Sequence, residues 1–256
     1  MGSVMSKSNY NAPAVTKAVE VVDLLSQSTR PMGLSEIVRA LDSNKNMCMR
    51  ILRTLEAQGW VSAEEGPKYK LSLGLFQIAS RPLARLDIVN EAFPLLRELW
   101  LNIGVNVYMG IPHQEKMLRV INFESTGRIR ISSPVGTTTE LCEGAGGMTL
   151  LAHSAQDRRD QIVGRAGKPS GKCTFCTAAK LPDALKKIER TKLAIHDQGS
   201  FRSLATPVFD HSGAVVAAVA STLPANGETL SAVKNTIGKR LIETAGAISC
   251  QMGYLK

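Results

Sequence analysis

Residues 45–53, Lys45-Asn46-Met47-Cys48-Met49-Arg50-Ile51-Leu52-Arg53, set a cation or an amide every few positions along a stretch of helical spacing. Apolar Met47, Ile51, Leu52 and Leu55 recur at i, i+4, i+5 and i+8, which makes one buried stripe. Lys45, Asn46, Met49, Arg50 and Arg53 are left for the other face, with no acid before Glu56. That face has a definite chemistry. Arginine pairs bidentately with the guanine edge and asparagine with the adenine edge, while lysine and arginine neutralise phosphates. A solvated helix face would carry the same residue types, so the elements around it must decide. A second constellation, Cys173-Thr174-Phe175-Cys176, has redox or metal-ligand spacing, but no second CxxC and no HxxxH exists to complete a zinc site. No P-loop, HExxH or GxSxG motif is present. No catalytic residue, metal or cofactor is therefore expected.

The elements that must position these side chains are legible. Gly33–Val61 reads as two short helices with a polar corner. Ser35–Leu41 is the first, with Ser35 as its N-cap, and Asp42-Ser43-Asn44 is the corner. Lys45–Gln58 is the second, ended by Gly59. Ser35 is counted with the polyanion-facing residues. A further helix is expected at Pro13–Gln27, with Val15, Val19, Val22 and Leu25 on its buried face. After the pair, Trp60–Ala63 and Tyr69–Leu73 flank the charged tip Glu64-Glu65-Gly66-Pro67-Lys68 as a β-hairpin. Three helices and a hairpin make a winged helix-turn-helix over 13–74, with Lys68 and Lys70 of the wing within reach of phosphates.

Residues 75–103 read as linker helices, the second at Asp87–Ile103 with Pro94 inside it. Its expected buried face is Val89, Phe93, Leu96, Leu99 and Trp100. Residues 104–256 alternate strands (Val105–Ile111, Met117–Phe123, Ile129–Val135, Phe201–Phe209, Ala214–Thr222) with helices (Gly144–His153, Gln156–Arg165, Ala184–Arg190, Ser231–Met252). Gly167–Lys172 reads as a loop. The fold class is α+β: a central antiparallel sheet flanked by helices.

Composition bounds the reading. A chain of 256 residues with 44% hydrophobic content is globular and has room for a second domain of roughly 150 residues. Net charge is +9; residues 1–85 carry 11 basic and 7 acidic side chains against 20 and 15 in the rest, so the excess is denser where the helix pair lies. Five cysteines form no regular disulfide framework. No apolar run approaches the ~20 residues of a membrane span, and the first residues lack a signal peptide's apolar segment. A cytoplasmic location is expected.

In this arrangement the chain resembles the IclR family of bacterial transcription regulators. The resemblance runs from about Val15 to Leu255. It is carried in order by GLSEIVRAL, RILRTLEAQGWV, the wing ending YKLSLGL, GAGGMTLLA (Gly144–Ala152), SLATPVFD (Ser203–Asp210) and GAVVAAVAST (Gly213–Thr222). It implies a winged helix-turn-helix, a linker helix and a GAF-like domain that binds a small organic effector, in most members a carboxylate, aromatic acid or sugar acid. It also implies a dimer or dimer of dimers on a palindromic double-stranded operator, repressing or activating a catabolic operon. The chain departs from the family pattern at Asn46-Met47, where a Ser-Thr pair is usual, and at His196, where a Glu is usual.

Within the implied effector domain, Gly144-Ala145 opens a helix whose free N–H groups favour a carboxylate. Ser203 begins a strand with apolar neighbours. Ala220 and Thr222 share one strand face by period two, and Phe201 could wall the site. Arg130 would clamp a carboxylate if it faces inward, or lie on an exposed strand face. His196 and Asp197 face either ligand or water. A rival class remains: a stand-alone small-molecule sensor or enzyme whose helical head mediates protein contacts.

Overall fold

The computed structural model describes residues 12–64, 66–83, 87–127, 133–166, 177–225 and 229–254. The chain divides into two compact units, Met1–Arg85 and Leu86–Lys256. The expected linker of 75–103 is thus divided, its first helix grouped with the first unit and its second with the other.

In the first unit, α1 (Pro13–Gln27) starts with proline at its first turn, where a missing N–H costs nothing. Then follow β1 (Met32–Gly33), α2 (Leu34–Ala40), α3 (Lys45–Ala57), β2 (Val61–Glu64), β3 (Lys68–Leu71) and α4 (Leu73–Leu83). The strands order β1-β3-β2, antiparallel throughout. The core joins Val21 and Leu25 of α1 to Leu34, Ile37, Cys48, Ile51, Leu52, Leu55, Val61 and Tyr69. Two expectations change here. Val15 and Val19 are 63% and 61% exposed, because the apolar arc of α1 is wider than the surface that covers it. The fully buried first member of the α3 stripe is Cys48, with Met47 only half-buried beside it.

Ser35 is not the cap of α2. Gly33 is, in extended geometry, and its N–H donates to Glu36 Oε2 at 2.7 Å. Arg30 Nη2 donates to the other carboxylate oxygen at 2.7 Å. The Arg30 hydrogen bond first and the Gly33 N–H second hold the Glu36 carboxyl down at about 2, from 4.5. A lowered carboxylate pKa stabilises the fold above the unfolded value, and that contribution is lost as pH falls. Glu36→Gln should therefore melt lower than wild type at neutral pH, with the gap closing between pH 4.5 and about 2. A gap that stays constant across thermal melts in that range would show that the charge is idle.

Gly59 ends α3 with φ +71°, its N–H bonding Glu56 O at 2.9 Å while Trp60 N–H bonds Leu55 O at 2.8 Å. The hydroxyl of Ser72 donates to Gly59 O. Gly74, in the first turn of α4, stands so close to that same carbonyl that a Cβ would collide with it.

The second unit begins with α5 (Asp87–Ile103) and is built on a six-stranded antiparallel sheet ordered β6-β5-β4-β9-β8-β7. Its strands are β4 (Asn106–His113), β5 (Lys116–Phe123), β6 (Thr138–Glu140), β7 (Ala194–Asp197), β8 (Phe201–Phe209) and β9 (Val215–Pro224). Helices α6 (Gly144–Ala152), α7 (Gln156–Ala166) and α8 (Leu181–Thr191) follow β6; α9 (Leu230–Val233), a π-turn at Lys234–Gly238 and α10 (Lys239–Gln251) close the chain as one rod. Helix α5 packs on α10, and both pack on the sheet; α6 packs against β8, β9 and β7.

The buried face of α5 is Ile88, Ala92, Leu96 and Leu99. Phe93 is exposed but touches Phe123, against which Trp100 stacks, and Trp100 Nε1 donates to Glu124 O at 2.7 Å. Residues 129–132 of the strand expected at Ile129–Val135, and all of the expected loop Gly167–Lys172, lie outside the described residues. Residues 133–135 are not strand, and the short edge strand β6 forms further on.

Candidate nucleic-acid interface and ligand site

Asn44 caps α3, its Oδ1 accepting from Asn46 N–H at 2.8 Å. At 100° per residue, buried Cys48, Ile51, Leu52 and Leu55 define one side of α3. Asn46, Arg50 and Arg53 lie directly opposite, all exposed. Lys45 is exposed on the flank. Met49 is half-buried and packs against the core, so it belongs to the scaffold rather than to the reading face. Neither Arg50 nor Arg53 has an ion pair among the described residues, so both guanidinium groups are available. In the wing, Lys70 is tied to Glu64, whereas Lys68 is exposed and pairs with no acid among the described residues. Ser35 is exposed in the first turn of α2. One polar stripe with two unpaired arginines, projecting from a helix anchored by a packed core, fits a major groove.

The second constellation lies on one face of the large sheet. Ser203 pairs with Thr222, and Thr222 with Asn106; one step along, Ala205 pairs with Ala220 and Ala220 with Tyr108. Period-two alternation therefore puts Phe201, Ser203, Ala220, Thr222 and Tyr108 on a single face. His196, opposite Ser203, shares it and is buried. Helix α6 covers this face, and its Ala145 N–H donates to Ser203 Oγ at 3.4 Å. The Tyr108 hydroxyl is hydrogen-bonded to Thr222 and lies where a Cβ on Gly146 would come within 3.4 Å of it. Gly144 has φ +64°, a left-handed turn that swings the chain into α6. Ala145, Ser203, Ala220 and Thr222 are thus brought together as expected, with Phe201 half-buried on the same strand face. Arg130 lies outside the described residues. Asp197 is turned away, accepting from Gly199 N–H at 3.0 Å and Arg202 Nε at 2.9 Å, and these bonds, the Gly199 one first, lower its pKa.

Sequence reasoning missed Tyr108 and Arg119. The Arg119 guanidinium lies 3.8 Å from the Tyr108 ring centroid. Burial pushes the Tyr108 phenol up, against the opposing influence of Arg119 and of the Thr222 bond. Burial also lowers the Arg119 pKa. The signal was present: Arg119 is the one cation inside the apolar run Met117–Phe123. The β4–β5 register, with its shift between Met109 and Gly110, is what sets it over the tyrosine. Among the described residues no group of three or more His, Cys, Asp or Glu could hold a metal. Cys173 and Cys176 lie outside them. Among the described residues no helix is long and apolar enough to cross a membrane.

The sequence matches the family model for the bacterial transcriptional regulator IclR C-terminal region over residues 80–250, and that for the IclR helix-turn-helix domain over 14–65. It is 26% identical to the HTH-type transcriptional regulator KdgR of Escherichia coli K12, over 98% of this chain and 96% of that one. The fold matches an IclR transcriptional regulator from Alicyclobacillus acidocaldarius with a TM-score of 0.79 at 24% identity, covering 95% of this chain and 100% of the other. It also matches an IclR homologue from Microbacterium hydrocarbonoxydans solved in complex with 4-hydroxybenzoate, with a TM-score of 0.79 at 16% identity over 93% and 98% of the two chains.

Proposed function

The chain belongs to the IclR family of bacterial transcriptional regulators, and from that premise we propose that it is a cytoplasmic, effector-controlled regulator of a catabolic operon. It is a regulator of transcription, not an enzyme, which removes the rival class. It reads a palindromic operator as a dimer or a dimer of dimers, each head placing α3 in a major groove. A small organic acid, bound where α6 meets Ser203 and Thr222, changes its affinity for that operator. The observation that carries the reading is the bare Asn46-Arg50-Arg53 stripe opposite the packed side of α3. The ligand-bound relative supports a small-molecule effector, and the N-terminal turn of α6, set beside the Ser203 and Thr222 hydroxyls, supports an acid.

Footprinting on the DNA upstream of its own gene and of the adjacent operon tests this. Protection of an inverted repeat, weakened by salt, is expected. No salt-sensitive protection at any promoter in a genome-wide pull-down would refute it. Ser203→Leu should remove the acid-induced change in operator affinity, because the leucine side chain fills the space beside Ala145. An unchanged acid response in that variant would move the effector elsewhere.

A further inference from the structure

The sheet face beneath α6 holds a cation that no acid balances among the described residues. Arg119 is 8% exposed. Its Nη1 donates to Asn122 Oδ1 at 3.2 Å and to Ser133 O at 3.0 Å, and these are the guanidinium's hydrogen bonds among the described residues. Its Nε is buried with no acceptor. The flat face rests on the Tyr108 ring. One edge of the guanidinium, Nε and Nη2, therefore has no hydrogen-bond acceptor among the described residues, while the other is anchored. A guanidinium taken from water without a counter-charge is unfavourable. That edge is also the fork that accepts a carboxylate with two parallel N–H bonds. Tyr108 joins this cation to the α6 end, since its hydroxyl meets Thr222 and faces Gly146.

We propose that Arg119 is the residue that reads the charge of the effector: a small organic anion sets its carboxylate on the Nε–Nη2 edge of Arg119, and Tyr108, Ser203 and Thr222 hold the remainder. This rests on the reading of the α6, β8 and β9 face as the ligand site. It places the charge recognition on β5, in addition to the helix end. The bound anion supplies the missing counter-charge and the acceptor for the Nε–H.

The test is calorimetry and thermal melting on the full chain with benzoate, 4-hydroxybenzoate and pyruvate, each beside its primary amide. At least one acid should bind, with its amide about 10- to 100-fold weaker, the range of a hydrogen bond to a charged group. Arg119→Met should lose the acid by a similar factor. It should melt no lower than wild type when ligand-free, because the buried charge is gone. Arg119→Lys keeps the charge but not the fork and should bind between the two, which serves if the methionine variant does not fold. Wild-type acid affinity in Arg119→Met, with loss in Ser203→Leu, would keep the ligand site and overturn the role of Arg119. Acid affinity unchanged in both variants would overturn the site itself. Equal binding of acids and amides, or no binding of any acid, would overturn the anion class. A lower ligand-free melting temperature with retained acid binding would make Arg119 a strut for Ser133 instead.

Discussion

The double substitution Arg50→Ala, Arg53→Ala should weaken operator binding by about 100-fold or more, since each base-edge or phosphate contact contributes about 1–3 kcal/mol. Both side chains are exposed and neither has an ion pair among the described residues, so their loss breaks no internal ion pair there. Alanine is also the strongest helix former, so circular dichroism and the melting temperature should not fall. The salt dependence separates the two kinds of contact. Each lost phosphate contact flattens the slope of log K against log salt by about one, and a lost base contact leaves the slope and relaxes sequence preference. Lys45→Ala, on the flank of the stripe, should cost less than either arginine. Fluorescence anisotropy on a labelled operator across a salt series measures all three. Binding of the double variant within a few-fold of wild type would remove α3 as the reading helix.

Gly147→Ala should destabilise the second unit by about 1–3 kcal/mol, and by more if the backbone cannot shift. A Cβ there would come within 2.7 Å of Glu140 O and 2.8 Å of Leu141 O, both backbone atoms with little freedom to retreat. Relief requires α6 to move off the sheet, which would also break the 3.4 Å contact from Ala145 to Ser203. Acid response should therefore fall with stability. Gly164→Ala in α7 is the matched control: a Cβ there meets nothing within 4 Å, and the exchange in a helix should be neutral or stabilise by up to about 1 kcal/mol. Chemical denaturation of the two variants in a Trp60→Phe background, which leaves Trp100 in the second unit as the fluorescent reporter, decides. Equal midpoints for Gly147→Ala and wild type would show that α6 has slack.

The pattern of what was legible follows from physical cause. The helix pair, the wing and the linker helices could be read because local chemistry sets them: Asn44 at a cap, Gly59 at a stop, apolar residues at a helical period. The same periodicity failed on α1 and at Met49. It marks which residues are apolar, and it is silent on how much of the arc another element covers. Ser35 was misplaced as a cap because α2 starts one residue before it, at Leu34, where the Glu36 carboxylate three residues past the cap accepts the Gly33 N–H. The strands β1, β6 and β7, of two to four residues, are too short for alternation to register. Within the ligand site, Ser203, Ala220 and Thr222 could be grouped by period two along two neighbouring strands. Tyr108 and Arg119 could not, because their meeting depends on a register shift between strands.

The carbonyl of Gly59 has a mechanical consequence. It ends the reading helix, takes the Ser72 hydroxyl and packs against Gly74 at the start of α4. Three segments therefore meet at one carbonyl, which ties the start of α4 to the end of α3 across the wing that separates them in sequence. A shift of the first turn of α4 therefore acts directly on the carbonyl that terminates α3. The angle at which the reading stripe meets DNA is thereby geared to the orientation of α4, and the absence of a side chain at Gly74 keeps the gear meshed.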